Sequence, residues 1–161
     1  MIVVADTSPF VALIKIGHVH ILSQLFVSVV VPPEVMSELL QPNMVKSVRT
    51  FAATPPDWLE VKQQTHIAII ADLHVGESAA INLAEELRAD LLLIDERLGY
   101  EVAKSRKIRT ARTAAVIKQA ADSEFISDLR DAFDRLLRTD FRVPKKVLDD
   151  LLADHLRRRA L

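Results

Sequence analysis

Short apolar runs alternate along the chain with segments whose apolar residues recur every three or four positions. The run Leu91–Ile94 has no polar alternation, which is typical of a strand covered on both faces in a parallel sheet. The other predicted strands are Ile2–Ala5, Ser28–Val31, Trp58–Val61 and a short segment around Ile108. Since strands and helices alternate, the pattern predicts a three-layer α/β/α fold with a central parallel sheet.

Helices are predicted between these strands from start signals and apolar stripes. Ser8 as N-cap, followed by Pro9, predicts the start of the first helix, and the pair Pro32 and Pro33 opens another. Further helices are predicted over residues 18–25, 44–53, from about 77 onward, and 98–105. The C-terminal third is predicted to be helical, with two apolar stripes: Ile126, Leu129, Phe133, Leu136 and Leu137, and then Val147, Leu148, Leu151 and Leu152.

Four carboxylates are expected at one edge of the sheet. Asp6 and Asp95 follow two strands, Glu38 lies on the helix after another strand, and Glu77 lies in a first helical turn facing its apolar stripe. Taken singly, an acid in a first turn stabilises the helix dipole, and an Asp after a strand caps the next helix. Four acids that converge repel one another unless a cation lies between them. The sequence therefore predicts a cation site.

Carboxylate oxygens favour Mg²⁺ or Mn²⁺ as the bound ion. Such ions activate water and neutralise the charge of a phosphodiester. The chain has no cysteine, which excludes disulfides, thiolate catalysis and cysteine–zinc sites. Its five histidines show no metal-ligand spacing and are expected to be surface or capping residues.

Composition narrows the class of protein. The 161 residues suggest one domain over 1–161, and half of them are hydrophobic, which argues against disorder. The absence of cysteine is compatible with a cytoplasmic location, and no apolar run reaches the ~20 residues of a membrane span.

Charge is distributed unevenly. Residues 1–103 contain 6 Lys/Arg and 13 Asp/Glu, whereas residues 104–161 contain 15 and 9. The stretch 104–118 has six basic residues and no acid. A basic strip beside an acidic centre suits the cleavage of a polyanion by bound cations, and the alternative is a solvated surface face. The residues expected to contact phosphates are Lys104, Arg106, Lys107, Arg109 and Arg112.

Four segments carry a resemblance to a known family. They read VVADTSP over 3–9, PEVMSEL over 33–39, GESAAINLA over 76–84 and LLIDER over 92–97. In this order and spacing they resemble PIN-domain proteins, most of all the prokaryotic VapC-like branch, many of which are ribonuclease toxins of toxin–antitoxin pairs. The resemblance covers nearly the whole chain.

The resemblance implies a PIN-like fold and a Mg²⁺- or Mn²⁺-dependent endoribonuclease that acts on RNA and is restrained by a small antitoxin protein. It implies that Asp6, Glu38, Glu77 and Asp95 bind the metal and that Ser8 and Arg97 orient this quartet. The two C-terminal stripes exceed what one sheet needs to cover, so association through an apolar surface, as a homodimer or with the antitoxin, is expected.

One segment departs from the family pattern. Relatives tend to have a Gly-Thr-x-Gly turn where this chain has Arg112-Thr113-Ala114-Ala115. Arginine does not allow the close backbone approach that glycine does, although Thr113 is expected to present its hydroxyl to the site. The alternative is therefore a PIN-like domain that has lost turnover and binds RNA or protein. A dehalogenase-like phosphatase would need an acid where Ser8 stands, and a receiver domain would need an acidic pair upstream of its phosphorylated Asp; neither is present.

Overall fold

The protein, described by a computed structural model over residues 1–66 and 68–161, is built on a sheet of short buried strands. The strands are β1 (Val3–Ala5), β2 (Val29–Val31), β3 (Leu59–Val61), β4 (Leu91–Leu93) and β5 (Thr110–Ala111). Their order is β3-β2-β1-β4-β5 and every pairing is parallel. The predicted central parallel sheet is confirmed.

Helices cover both faces of the sheet. They are α1 (Thr7–Lys15), α2 (Ile21–Phe26), α3 (Pro33–Leu39), α4 (Lys46–Ala53), α5 (Val75–Glu86), α6 (Arg97–Ser105), α7 (Thr113–Asp122), α8 (Leu129–Leu137) and α9 (Lys145–Arg159). The C-terminal region is helical, as predicted.

Alternate residues of the strands pack into two separate hydrophobic clusters. In β1, Val3 and Ala5 join the cluster that contains Phe10, while Val4 joins the one that contains Ile81. This is the alternation of side chains that any strand produces, and here both faces are apolar because helices cover both. The observation confirms the three layers.

Two local predictions were wrong. The first helix begins at Thr7 with Asp6 as N-cap, so Ser8 lies inside its first turn rather than capping it. The last strand is Thr110–Ala111, and Ile108 belongs to the turn before it. In that turn Lys107 has φ 62°, and the Ile108 N–H donates to the Ala103 carbonyl at 3.0 Å, a Schellman-type end to α6. Ile108 is buried because it closes the helix and not because it lies in a strand.

Candidate active site at the carboxyl edge of the sheet

The four predicted carboxylates line one groove of about 1070 Å³. Asp6 directly follows β1 and Asp95 follows β4, so the parallel pairing of these neighbouring strands brings both to the same edge. Glu38 comes from the last turn of α3 and Glu77 from the first turn of α5. These two helices pack against each other beside the strand ends.

Asp6 is the most buried of the four, with 4 % of its surface exposed. Its Oδ1 atom has no hydrogen-bond partner among the described residues. Burial is the main cause that raises the pKa of Asp6 to about 7, and the charges of Glu77, Glu38 and Asp95 contribute to this rise against the opposing effect of the Thr7 backbone N–H. Asp6 thus carries an unpartnered oxygen, and the neighbouring charges that act most strongly on it are those of carboxylates.

Asp95 is held from two sides by hydroxyl groups. Ser8 Oγ donates to its Oδ2 at 2.9 Å, and Thr113 donates to Oδ2 through Oγ1 at 2.6 Å and to Oδ1 through its backbone N–H at 2.9 Å. Burial still raises the pKa of Asp95, although these hydrogen bonds and Arg112 lower it. The predicted orienting contacts of Ser8 and Thr113 are therefore present in the structure.

Glu38 is fixed by a close approach of backbone. The Thr7 hydroxyl donates to its Oε2, and the Gly76 N–H donates to its Oε1 at 3.0 Å. A Cβ placed on Gly76 would lie 2.6 Å from the Glu38 carboxyl carbon. Only glycine at position 76 leaves room for the carboxylate where it lies.

Glu77 is buried beside this group, with 8 % of its surface exposed. The His74 backbone N–H donates to its Oε2 at 3.3 Å. Burial raises the pKa of Glu77, and the nearby Glu96 and Glu38 charges add to the effect. The pKa values of Asp6, Glu77 and Asp95 are therefore all raised, in each case mainly by burial.

Arg97 lines the groove but is turned away from the carboxylates. Its Nε pairs with Glu101 at 3.2 Å on the surface of α6. Glu96, which sequence analysis did not single out, also lines the groove and caps α6 by accepting from the Leu98 and Gly99 N–H groups.

The basic residues predicted to form one strip are divided in the structure. Arg112 lines the groove, whereas the Arg109 carbonyl accepts from the N–H of Leu92 in β4, a residue roughly 10 Å from Asp95 at about 3.3 Å per residue. Arg106 turns back to Glu85 at 3.0 Å and to Asn82. Lys118 of the same stretch is buried and paired with two carboxylates.

Arg112 does not distort the turn in which relatives of the family tend to have glycine. Its φ is −94° and its ψ is 156°, an ordinary extended conformation at the N-cap of α7. No left-handed backbone is required at this position, so the absence of glycine leaves the groove intact.

The donor set suits a hard divalent cation, since it offers carboxylate oxygens, one of them unpartnered and buried. Across residues 1–66 and 68–161, no three acidic or histidine side chains already form a group that could hold an ion. Glu38 and Asp95 instead engage hydroxyl and backbone donors. The four acids therefore line the groove without forming a closed set of ion ligands.

The fold is a parallel three-layer α/β domain, and four acids line a groove at the carboxyl edge of its sheet, where such sheets place their ligands. The family model described as "PIN domain" matches residues 2–156, and the chain belongs to the PIN-domain family. PIN domains are generally nucleases and typically use divalent metals.

A solved structure supports the same fold. The chain is similar to a PilT N-terminus domain protein from the hyperthermophilic archaeon Sulfolobus solfataricus P2, with 21% identity and a TM-score of 0.55 over 72% of this chain and 90% of that one. No curated protein was found to match the chain. In the described ranges, no helix has the length and apolarity needed to cross a membrane.

Proposed function

We propose that the protein is a divalent-metal-dependent endoribonuclease and the toxin of a toxin–antitoxin pair. The observation that carries the proposal is the convergence of Asp6, Glu38, Glu77 and Asp95 on one groove, with the Asp6 oxygen buried and unpartnered. Carboxylates gathered without a counter-charge destabilise a fold, and a bound cation removes that repulsion.

In this proposal Asp6, Glu38, Glu77 and Asp95 hold Mg²⁺ or Mn²⁺. When bound, the ion supplies charge neutralisation for the phosphodiester and makes a water molecule more acidic. Ser8 and Thr113 fix the orientation of Asp95, and Thr7 with Gly76 fixes that of Glu38. These contacts limit how far the carboxylates must move when the ion arrives.

Phosphate contacts beside the groove are assigned first to Arg112, because it lines the groove next to Asp95. Lys104 lies close to Arg112, since both cations approach the ring of Tyr100. Arg106, Lys107 and Arg109 could contact the RNA only if the RNA strand extends to the opposite edge of the sheet. Their predicted role is therefore secondary to that of Arg112.

A small antitoxin and a second copy of the chain are the proposed partners. Support comes from the C-terminal helices, where Leu137, Val147 and Leu156 are each more than 40% exposed. Exposed apolar side chains gathered on neighbouring helices are typical of an interface. A protein that stays monomeric at micromolar concentration and copurifies with nothing would contradict this part of the proposal.

The catalytic part of the proposal is tested by cleavage of unstructured RNA with Mg²⁺ or Mn²⁺. We expect cleavage to stop on chelation and to fall at least about 100-fold in Asp6→Asn, which keeps the shape and removes a ligand charge. Asp57→Asn, at an exposed position away from the groove, is the matched control and should cleave normally. Undiminished cleavage in excess chelator by a preparation free of contaminating nuclease would refute the proposal.

A further inference from the structure

A second cavity of about 290 Å³ opens beside the acidic groove. The two cavities share Asp95, Arg112, Phe141 and Arg142 in their walls, so they meet at the edge of the carboxylate cluster. The volume is close to the lower end of the ~300–1,000 Å³ typical of small-molecule sites. The portion of a ligand that is bound in this cavity would therefore lie next to the portion that reacts in the groove.

One wall of this cavity is aromatic and cationic. The Arg112 guanidinium carbon lies 4.3 Å from the centre of the Tyr100 ring, and the Lys104 ammonium lies 5.4 Å from it. Within residues 1–66 and 68–161 neither cation has a carboxylate partner within ion-pair distance. Arg112 lines the cavity and Lys104 does not, and two cations on one ring without an ion-pair partner favour an anionic ligand nearby.

Another part of the lining is apolar and comes from α9 and the segment before it. Val143, Val147 and Leu151 form it, and Val147 is 42% exposed. Asp95, at the boundary with the groove, is the one acid among the residues that line the cavity. The cavity is therefore an apolar slot bounded by the stacked Arg112 and Tyr100 side chains, and Arg112 and Arg142 line both the slot and the groove.

We propose that this cavity binds one unpaired nucleobase of the RNA, adjacent to the phosphate that lies in the acidic groove. The inference rests on the proposed function, because it places the substrate's phosphate at the carboxylates. A nucleotide matches these walls, with its phosphate beside the arginines and its base against the Arg112 guanidinium stacked on Tyr100 and against the apolar side chains. A base within a duplex is not available for such a slot, so the site selects single-stranded RNA.

The test measures what one base adds to binding. The probe is a fluorescein-labelled heptanucleotide backbone built of abasic tetrahydrofuran spacers, compared with the same backbone carrying a single central adenine. The two probes carry the same charge, so the phosphate contribution to binding cancels in the comparison. Because only one base is present, the strand cannot slide to place a different base in the cavity. We expect the adenine to tighten binding between about fivefold and a hundredfold, the range spanned by one stacked base.

Separate variants then fill the cavity or remove its Tyr100 ring. Ala115→Phe fills it from an exposed position of α7 that does not line the groove, and Gln119→Phe, one turn further along, is the matched control. Tyr100→Leu removes the ring and Tyr100→Phe keeps it. We expect the gain from adenine to disappear in Ala115→Phe and Tyr100→Leu and to persist in the two controls, with all variants retaining the parent's far-ultraviolet circular dichroism.

Several results would overturn the inference. One is that adenine does not increase the affinity, and another is that it increases the affinity equally in the parent and in Ala115→Phe. A third is that the variants lose a copurifying protein while the effect of adenine is unchanged, which would assign the cavity to a protein partner. RNA cleavage measured on the same preparations separates this inference from the proposed function. Cleavage without a gain refutes the base pocket alone, and a gain that depends on the pocket, without cleavage, refutes the nuclease alone.

Discussion

Two clusters of partly buried charge in this protein have opposite electrostatic character. The acidic groove gathers Asp6, Glu38, Glu77 and Asp95, and among the described residues none of the four has a lysine, arginine or histidine within ion-pair distance. The second cluster, called here the α7–α9 network, consists of Lys118, Asp122, Asp154 and His155. Lys118 Nζ lies 2.6 Å from a carboxylate oxygen of Asp122 and 2.6 Å from one of Asp154, and His155 Nδ1 lies 2.6 Å from Asp122.

The pKa values follow this difference. In the network, the hydrogen bond from Lys118 lowers the pKa of Asp154 to about 2, and bonds from His155 and Lys118 lower that of Asp122 against the effect of burial. In the groove, burial and mutual repulsion raise the pKa values of Asp6 and Glu77. The network pairs its carboxylates with cations and holds two helices together, whereas the four groove acids have no ion-pair partner among the described residues, which is why the site is assigned to the groove.

The comparison predicts opposite pH dependence in metal-free protein. The folded-state pKa of Asp6 is raised from 3.8 to about 7, so the stability that its proton contributes is present below pH 4 and is lost as pH rises from about 4 to 7. Asp6→Asn has no such proton to lose. In urea unfolding with chelator present, its free energy of unfolding should therefore exceed that of the parent by an amount that grows with pH to at most about 4 kcal/mol. A difference that stays constant across this range would contradict the assignment.

Asp154→Asn is the counterpart in the network. The folded-state pKa of Asp154 is depressed, so its contribution is present above pH 4 and is lost as pH falls from about 4 to 2. The free energy of unfolding of this variant should therefore be lower than that of the parent at neutral pH and approach it in acid. This pH dependence is the reverse of that expected for Asp6→Asn.

Removing the central cation should weaken the network without affecting the groove. Lys118→Met keeps the length of the side chain and leaves Asp122 and Asp154 without their lysine. We expect a loss of about 2 kcal/mol in the free energy of unfolding, less than the ~3–5 of a fully buried pair, because the two aspartate side chains are 23% and 34% exposed. Stabilisation by metal should be unchanged in this variant, and a reduced metal effect would show that the two clusters are coupled.

A smaller effect is expected from Gly76→Ala. The new methyl group would displace the Glu38 carboxylate, and we expect a loss of about tenfold in Mn²⁺ affinity, the lower end for contacts that orient metal ligands. Calorimetric titration measures the Mn²⁺ affinity, and the control is Gly76→Ala introduced into the Glu38→Ala variant. If Gly76 acts through Glu38, the second change adds nothing to the first; an additive loss would assign glycine another role.

Much of the fold follows from local sequence because buried strands and amphipathic helices produce distinct periodicities. Asp6 and Asp95 could be placed at one edge since each ends an apolar run, and parallel strands share their carboxyl edge. The position of β5 could not be predicted from the burial of Ile108, because closing α6 and pairing in a strand bury an apolar residue equally well.

The contacts that sequence analysis missed join residues far apart in the chain. The approach of Gly76 to Glu38 depends on how α3 and α5 pack, which no local pattern encodes. Lys118 was counted with an exposed basic strip, and His155 was expected at the surface or as a cap, yet both are buried in the α7–α9 network. Their partners are set by the packing of α7 against α9, and the sequence shows only charges at helical spacing.

The central claim is that the acidic groove binds a divalent cation, and thermal unfolding with increasing Mg²⁺ or Mn²⁺ tests it most directly. For the parent we expect stabilisation by about 2.7 kcal/mol at a hundredfold excess of metal over its dissociation constant. Asp6→Asn should show little of this effect, and Asp154→Asn should show all of it. If metal stabilises Asp6→Asn as much as the parent, Asp6 is not a ligand and the site assignment is wrong.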